Sequence, residues 1–164
     1  MFITRKGEPL EVPGQQPKVG DKAASFSLKD LEDETYTLVD FNNGKPTILS
    51  VIPDINTRVC ALQAKRFNQE ASQLDDINFV TISNNTKEDQ ANWCGQEGVD
   101  MILLHDPENT FGKDYNLYMP EADHFARSIF VLDQDGTITY EEIVPEMSDE
   151  PNYQKALDAA KALA

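Results

Sequence analysis

Between residues 46 and 104 the chain alternates two kinds of hydrophobic pattern, and this alternation most limits the folds open to it. Residues 46–52 hold Ile48, Leu49, Val51 and Ile52 in a short, nearly continuous apolar run, the pattern of a central strand buried on both faces. Over residues 58–74 the period changes. Cys60, Ala64, Phe67, Ala71 and Leu74 recur at spacings of three and four, one stripe of a helix, while Gln63, Lys65, Arg66, Gln69 and Glu70 lie off that stripe. Residues 78–83 read as the next buried strand. Thr86 then opens a second helix, with Asp89 three positions on as in a capping box, and Gly98 is its expected stop. Residues 101–104 form another short strand.

The flanks complete the pattern. Residues 2–5 and 10–12 are short extended pieces around Lys6-Gly7-Glu8-Pro9, which predicts an N-terminal hairpin. Residues 14–20 are a Pro/Gly-rich connector, and residues 24–28 and 35–38 read as strands. Residues 105–125 are a long irregular segment with one helical turn around 111–115; a segment this long in a small domain is often functional. Residues 128–132 are a strong strand, Asp133-Gln134-Asp135-Gly136 a turn, 137–143 the hairpin partner, and 152–163 a closing helix. Strands alternating with helices imply a parallel sheet covered on both faces, to which the last hairpin adds antiparallel strands. The expectation is an α/β chain with a thioredoxin-like fold: a central mixed sheet with helices on both faces, an N-terminal β-hairpin, and an insert before the last hairpin. Its 164 residues fit one domain, spanning 1–164.

Charge narrows the function classes. With 29 acidic and 14 basic residues the net charge is −15. Phosphate-rich partners would repel such a surface, so neither nucleic acid nor an anionic membrane is an expected partner. Residues 1–10 lack the apolar run of a signal peptide, and no apolar stretch is long enough to span a bilayer. A cytoplasmic location is expected, and in that reducing compartment cysteines are more often catalytic, redox-active or metal-binding than structural. Cys60 and Cys94 are the two cysteines, too far apart for a CxxC motif. His105 and His124 share no metal-ligand spacing with them, so no metal and no cofactor is expected.

Cys60 follows the central strand through Pro53-Asp54-Ile55-Asn56-Thr57-Arg58-Val59, at the carboxyl end of a parallel strand, where ligands bind in α/β proteins. Thr57 suits the N-cap, with Cys60 at the third helical position. There, unpaired N–H groups and the helix dipole favour the nucleophilic thiolate. A cysteine on an apolar helix stripe is ordinarily a small core residue, and position alone leaves both readings open. Arg127 opens a buried strand and needs a partner, either a thiolate pocket or a carboxylate.

Pro53-x-x-x-Thr57-x-x-Cys60 resembles the peroxidatic motif of the peroxiredoxins. The surrounding pieces narrow the resemblance to their thiol peroxidase subfamily: Lys65-Arg66-Phe67-Asn68, Asn92-Trp93-Cys94-Gly95, Phe111-Gly112-Lys113-Asp114-Tyr115, residues 126–133 and Val144-Pro145-Glu146, in that order. The resemblance covers essentially the whole chain. It implies that Cys60 attacks a hydroperoxide substrate and becomes a sulfenic acid. Thr57 would hydrogen-bond the peroxide and the sulfur, Arg127 would stabilise the thiolate and the developing charge on oxygen, and Pro53 would shape the pocket. It further implies Cys94 as the resolving cysteine, an intramolecular Cys60–Cys94 disulfide, thioredoxin as reductant, and a homodimer. Alkyl hydroperoxides are favoured over hydrogen peroxide. Arg58 departs from the family, which usually carries proline or glycine there, and is expected to behave as a surface cation. A single-cysteine or glutathione-type peroxidase stays open as an alternative, as does a redox sensor or holdase that uses Cys60 oxidation without efficient turnover.

Overall fold

The central strand is the one the sequence marks most strongly. In the computed structural model, which describes residues 1–41, 44–71, 76–97 and 102–163, and only the backbone at residues 68, 71 and 94–97, it is β5 (Thr47–Val51), buried at every position. In chain order it is preceded by β1 (Phe2–Arg5), β2 (Glu8–Glu11), β3 (Ser27–Lys29), β4 (Thr35–Thr37) and the single turn α1 (Leu38–Phe41). After it come α2 (Arg58–Ala71), β6 (Asn78–Ser83), α3 (Lys87–Glu97), β7 (Leu103–His105), α4 (Thr110–Asp114), β8 (Tyr118–Met119), β9 (His124–Phe125), β10 (Ser128–Leu132), β11 (Ile138–Ile143) and α5 (Tyr153–Lys161). The expected positions of Leu74, Gly98 and Met101 lie outside the described residues.

Seven strands form the main sheet in the order β11-β10-β5-β6-β7-β3-β4. The run β5-β6-β7 is parallel, and β10, β11, β3 and β4 join antiparallel, giving the mixed sheet. Alternation along β5 sorts its side chains. Leu49 and Val51 face the cluster that holds the N-terminal segment, α1 and α4, whereas Ile48 faces Phe67 of α2 and Tyr153, Ala156 and Leu157 of α5. Ile52, just past the strand, lies in a third cluster with Ile55, Cys60, Ala64, Trp93 and Leu103. Ser50 sits between Ile48 and Ile52 on the α2 side, so it presents a buried hydroxyl to that helix.

Two local devices place the parts that matter below. The β1–β2 hairpin turns through Lys6 and Gly7, both at positive φ (52° and 83°), the two-residue turn that suits the twist of paired strands. The α3 helix begins as its sequence predicts: the Asp89 N–H donates to Thr86 Oγ1 at 3.1 Å.

Several features differ from the sequence expectation: the second hairpin strand is Glu8–Glu11 where 10–12 was expected, and the next is Ser27–Lys29 where 24–28 was expected. The expected strand over 35–38 stops at Thr37 and turns into α1. The segment 105–125 is more ordered in pattern than expected, because the β8–β9 ribbon follows α4 and pairs Tyr118 with Phe125 and Met119 with His124.

Candidate active site

The turn from β5 into α2 creates an acceptor site at sulfur. Asn56 N–H donates to Asp54 Oδ1 (3.0 Å), while the Thr57 N–H (3.0 Å) and hydroxyl (2.9 Å) both donate to the Asp54 carbonyl. These bonds fold residues 54–57 into a tight turn, and the first helical bond, Ala61 N–H to the Thr57 carbonyl, follows at 3.0 Å. Pro53 has no N–H to give. The next backbone donor, Asp54 N–H, points at Cys60 Sγ from 3.4 Å. Cys60 is only 1% exposed.

The second donor to sulfur comes from across the sheet. Arg127 immediately precedes β10, the antiparallel neighbour of β5, and is 2% exposed. Its Nη2 donates to Cys60 Sγ at 3.3 Å and to the Met147 carbonyl at 2.7 Å; Nε reaches the same carbonyl at 3.1 Å. Its Nη1 donates to Gln63 Oε1 at 2.9 Å. These partners are neutral, so among the described residues the guanidinium meets no carboxylate. A cation taken out of water this far needs compensation, and its hydrogen bonds to the Met147 carbonyl, Gln63 Oε1 and Cys60 Sγ are what it finds among the described residues.

Gln63 is the residue that residue type hides. It lies off the apolar stripe and yet is fully buried. Its Nε2 donates to Ser50 Oγ at 2.8 Å, which leaves Oε1 turned toward Arg127. Gln63 follows Cys60 by one helical turn, and that spacing is the signal for it.

The Met147 carbonyl is itself anchored. Met147 N–H donates to the Thr4 carbonyl, and Thr4 N–H to the Pro145 carbonyl, each at 2.7 Å. Beside them the Glu146 carboxylate accepts from Ser148 Oγ (2.5 Å), Ser148 N–H (2.8 Å), Gly7 N–H (2.8 Å), Thr4 Oγ1 (2.9 Å) and Lys6 N–H (3.2 Å). This nest of donors, with Ser148 foremost, holds the Glu146 carboxyl well below the usual carboxylate range.

A cavity of about 470 Å³ opens onto the sulfur. Pro53, Thr57, Cys60 and Arg127 all line it, so four of the five residues singled out from the sequence come together. Arg58 is exposed and lines the cavity too, as does His124 of β9, which sequence reasoning did not assign to the site. The fifth, Cys94, lies on α3; its side chain is outside the described residues, but its neighbour Trp93 packs in the same cluster as Cys60. Among the described residues no group of three or more His, Cys, Asp or Glu is placed to hold a metal ion, and no helix is long and apolar enough to cross a membrane.

Comparison with known proteins gives this geometry a family. The AhpC/TSA family model matches residues 19–141. The thiol peroxidase of Bacillus subtilis (strain 168) is 45% identical over 163 residues, covering 98% of this chain and 97% of the relative. That of Streptococcus pneumoniae (strain ATCC BAA-255 / R6) is 44% identical over 164 residues, covering 99% and 100%. Among solved structures, a peroxiredoxin-like protein from Aquifex aeolicus superposes with a TM-score of 0.91 at 21% identity, over 99% of this chain and 97% of that one. A thiol peroxidase from Chromobacterium violaceum gives 0.87 at 17% identity, over 98% and 96%. These last two likenesses speak for the thioredoxin-like fold, and the two bacterial relatives speak for the branch: the chain belongs to the AhpC/TSA family of peroxiredoxins, among its thiol peroxidases.

Proposed function

We propose that this thiol-dependent peroxidase reduces hydroperoxides, alkyl hydroperoxides foremost, through the thiolate of Cys60. The observation that carries the reading is the buried Cys60 sulfur, held between the Asp54 N–H and Arg127 Nη2 at the floor of an open cavity. Two donors converging on one sulfur stabilise negative charge there without reorganising during reaction. The thiolate attacks the terminal peroxide oxygen. An S–O bond forms, the O–O bond breaks, and Cys60 becomes a sulfenic acid. The Thr57 hydroxyl lines the cavity and gives its hydrogen to the Asp54 carbonyl, so its lone pairs can accept from the peroxide O–H. Pro53 walls the same cavity.

In the second half-reaction the Cys94 thiol condenses with the sulfenic acid, releasing water and leaving an intramolecular Cys60–Cys94 disulfide. Thioredoxin, a dithiol reductant, then restores both thiols. The protein works in the cytoplasm as a homodimer, each chain acting as one domain. No part of this scheme calls on a metal or a cofactor.

The test is turnover coupled to thioredoxin, thioredoxin reductase and NADPH. Cys60→Ser should abolish NADPH consumption while leaving the circular dichroism spectrum unchanged. Consumption near the wild-type rate in that variant would remove Cys60 from the reaction.

A further inference from the structure

Attack by a thiolate on a hydroperoxide leaves a strongly basic oxygen behind, and that oxygen must acquire a proton. The residues around Cys60 used so far do not obviously supply it. A guanidinium does not release its protons in proteins, so Arg127 and Arg58 can hold charge but not transfer hydrogen. The Thr57 hydroxyl directs its own hydrogen to the Asp54 carbonyl. His124 lines the same cavity and has no role in the scheme above.

Its imidazole is oriented by a chain of amides. Asn84 Nδ2 donates to Asn109 Oδ1 at 2.9 Å and to the Asp123 carbonyl at 2.8 Å. Both acceptors are on the insert, and together they fix which way the Asn84 amide faces. Its oxygen is therefore the atom that meets His124 Nδ1, at 3.1 Å. An oxygen there requires Nδ1 to carry the hydrogen. The other ring nitrogen, Nε2, stands 3.9 Å from Asp54 Oδ2. That separation is too long for a hydrogen bond but within ion-pair reach of a protonated ring, so Asp54 steadies a charged His124 without taking its proton.

Asp54 ties this nitrogen to the sulfur. Its carboxylate holds Asn85 Nδ2 at 2.9 Å and Asn56 N–H at 3.0 Å, and its own N–H donates to Cys60 Sγ. One residue thus faces His124 through its side chain and Cys60 through its backbone. The strand that carries the ring is packed as well. Phe125, its neighbour in β9, lies so close over Gly112 of α4 that a Cβ on Gly112 would run into the Phe125 ring. The insert therefore delivers His124 to the cavity wall on a packed ribbon.

We propose that His124 is the general acid of the peroxidatic step. The Cys60 thiolate takes the terminal oxygen of RO–OH. Sulfur is oxidised by two electrons to Cys60–S–OH, and the O–O pair departs on RO⁻. The proton on His124 Nε2 passes to RO⁻, giving ROH and a neutral imidazole, which is reprotonated from solvent. Histidine is the side-chain type whose charge changes near neutral pH, which suits a group that must give and regain a proton at each turnover. The assignment rests on Cys60 being the attacking thiol.

The test exploits leaving-group basicity. Reduced wild-type, His124→Gln and His124→Asn proteins are mixed with each oxidant in single-turnover stopped flow, with no reductant present. With tert-butyl hydroperoxide, whose leaving alkoxide needs a proton, the rate constant should fall about 10²-fold, the usual contribution of a placed general acid. With peracetic acid, whose leaving acetate needs none, it should stay within about twofold, because general-acid assistance matters only for a basic leaving group. Alkylation of Cys60 by iodoacetamide should keep its wild-type rate, showing that sulfur is undisturbed. Equal losses with both oxidants, slowed alkylation, or no loss with either would overturn the proposal. Failure of the Cys60 reading would show separately, as oxidation persisting in Cys60→Ser.

Discussion

Arg127 makes four hydrogen bonds from one guanidinium: two to the Met147 carbonyl, one to Gln63 and one to sulfur. If it stabilises charge in the transition state, Arg127→Ala should lower the peroxidatic rate about 10²-fold or more, the loss seen when one preorganised donor is removed. Iodoacetamide alkylation of Cys60 at neutral pH should slow as well. A variant whose alkylation keeps its full pH profile would assign Arg127 to holding the 144–148 turn alone. Lysine should not rescue, because an ammonium cannot reach three acceptors in one plane. At this scale the sequence was legible wherever a motif fixes a residue's neighbours: Pro53, Thr57, Cys60 and Arg127 share one cavity. Gln63 was not, because its type and its place off the apolar stripe argue for solvent, and only its spacing of one turn from Cys60 brings it under Arg127. Position won, since Ser50 and Arg127 give both ends of the amide a partner. His124 was missed for a different reason. It enters on a two-residue strand, too short to leave any periodicity in the sequence.

The described part of the α3 helix buries few side chains. In its described part only Gln90 and Trp93 are buried, and each carries a polar atom that finds no partner among the described residues: Gln90 Oε1 and Trp93 Nε1. Gln90 Nε2 ties the helix to Ser83 Oγ (2.8 Å) and to the Leu104 carbonyl (3.4 Å), so lifting the described part of α3 breaks far fewer contacts than global unfolding does. A disulfide requires Cα atoms within about 7 Å, and Cys60 is buried at the start of another helix. Oxidation should therefore loosen α3. Faster amide exchange over residues 86–97 and a shift in Trp93 emission in the oxidised protein are the expected result. Identical exchange in both states, or a disulfide between chains and none within, would remove Cys94 from its proposed role. The long elements were readable because periodicity had room to show, as in α2, β6 and β10. The pieces that were not readable, α1 and the β8–β9 ribbon, run two to four residues each.

At the scale of the whole molecule, the N-terminal hairpin meets the segment that follows β11 behind Arg127. Thr4 of the N-terminal hairpin bonds on both sides of Glu146, and the Glu146 carboxylate gathers donors from Thr4, Lys6, Gly7 and Ser148. Because folding depresses the pKa of Glu146, its stabilisation is fully present above the ordinary carboxylate range and fades as pH falls below it. Glu146→Gln should thus melt lower than wild type at neutral pH, with the difference narrowing in acid. A gap that stays constant from neutral to strongly acidic pH would mean the carboxylate charge is not what binds the hairpin. What these contacts finally position is a main-chain oxygen, the Met147 carbonyl that takes Arg127 Nε and Nη2. In terms of descent, that choice of atom separates spelling from spacing. Any residue can present a carbonyl at position 147, so the spelling there answers only to the core and the cavity that the Met147 side chain touches; gaining or losing a single residue between Val144 and Ser148 is instead expected to carry the oxygen out of reach of Arg127.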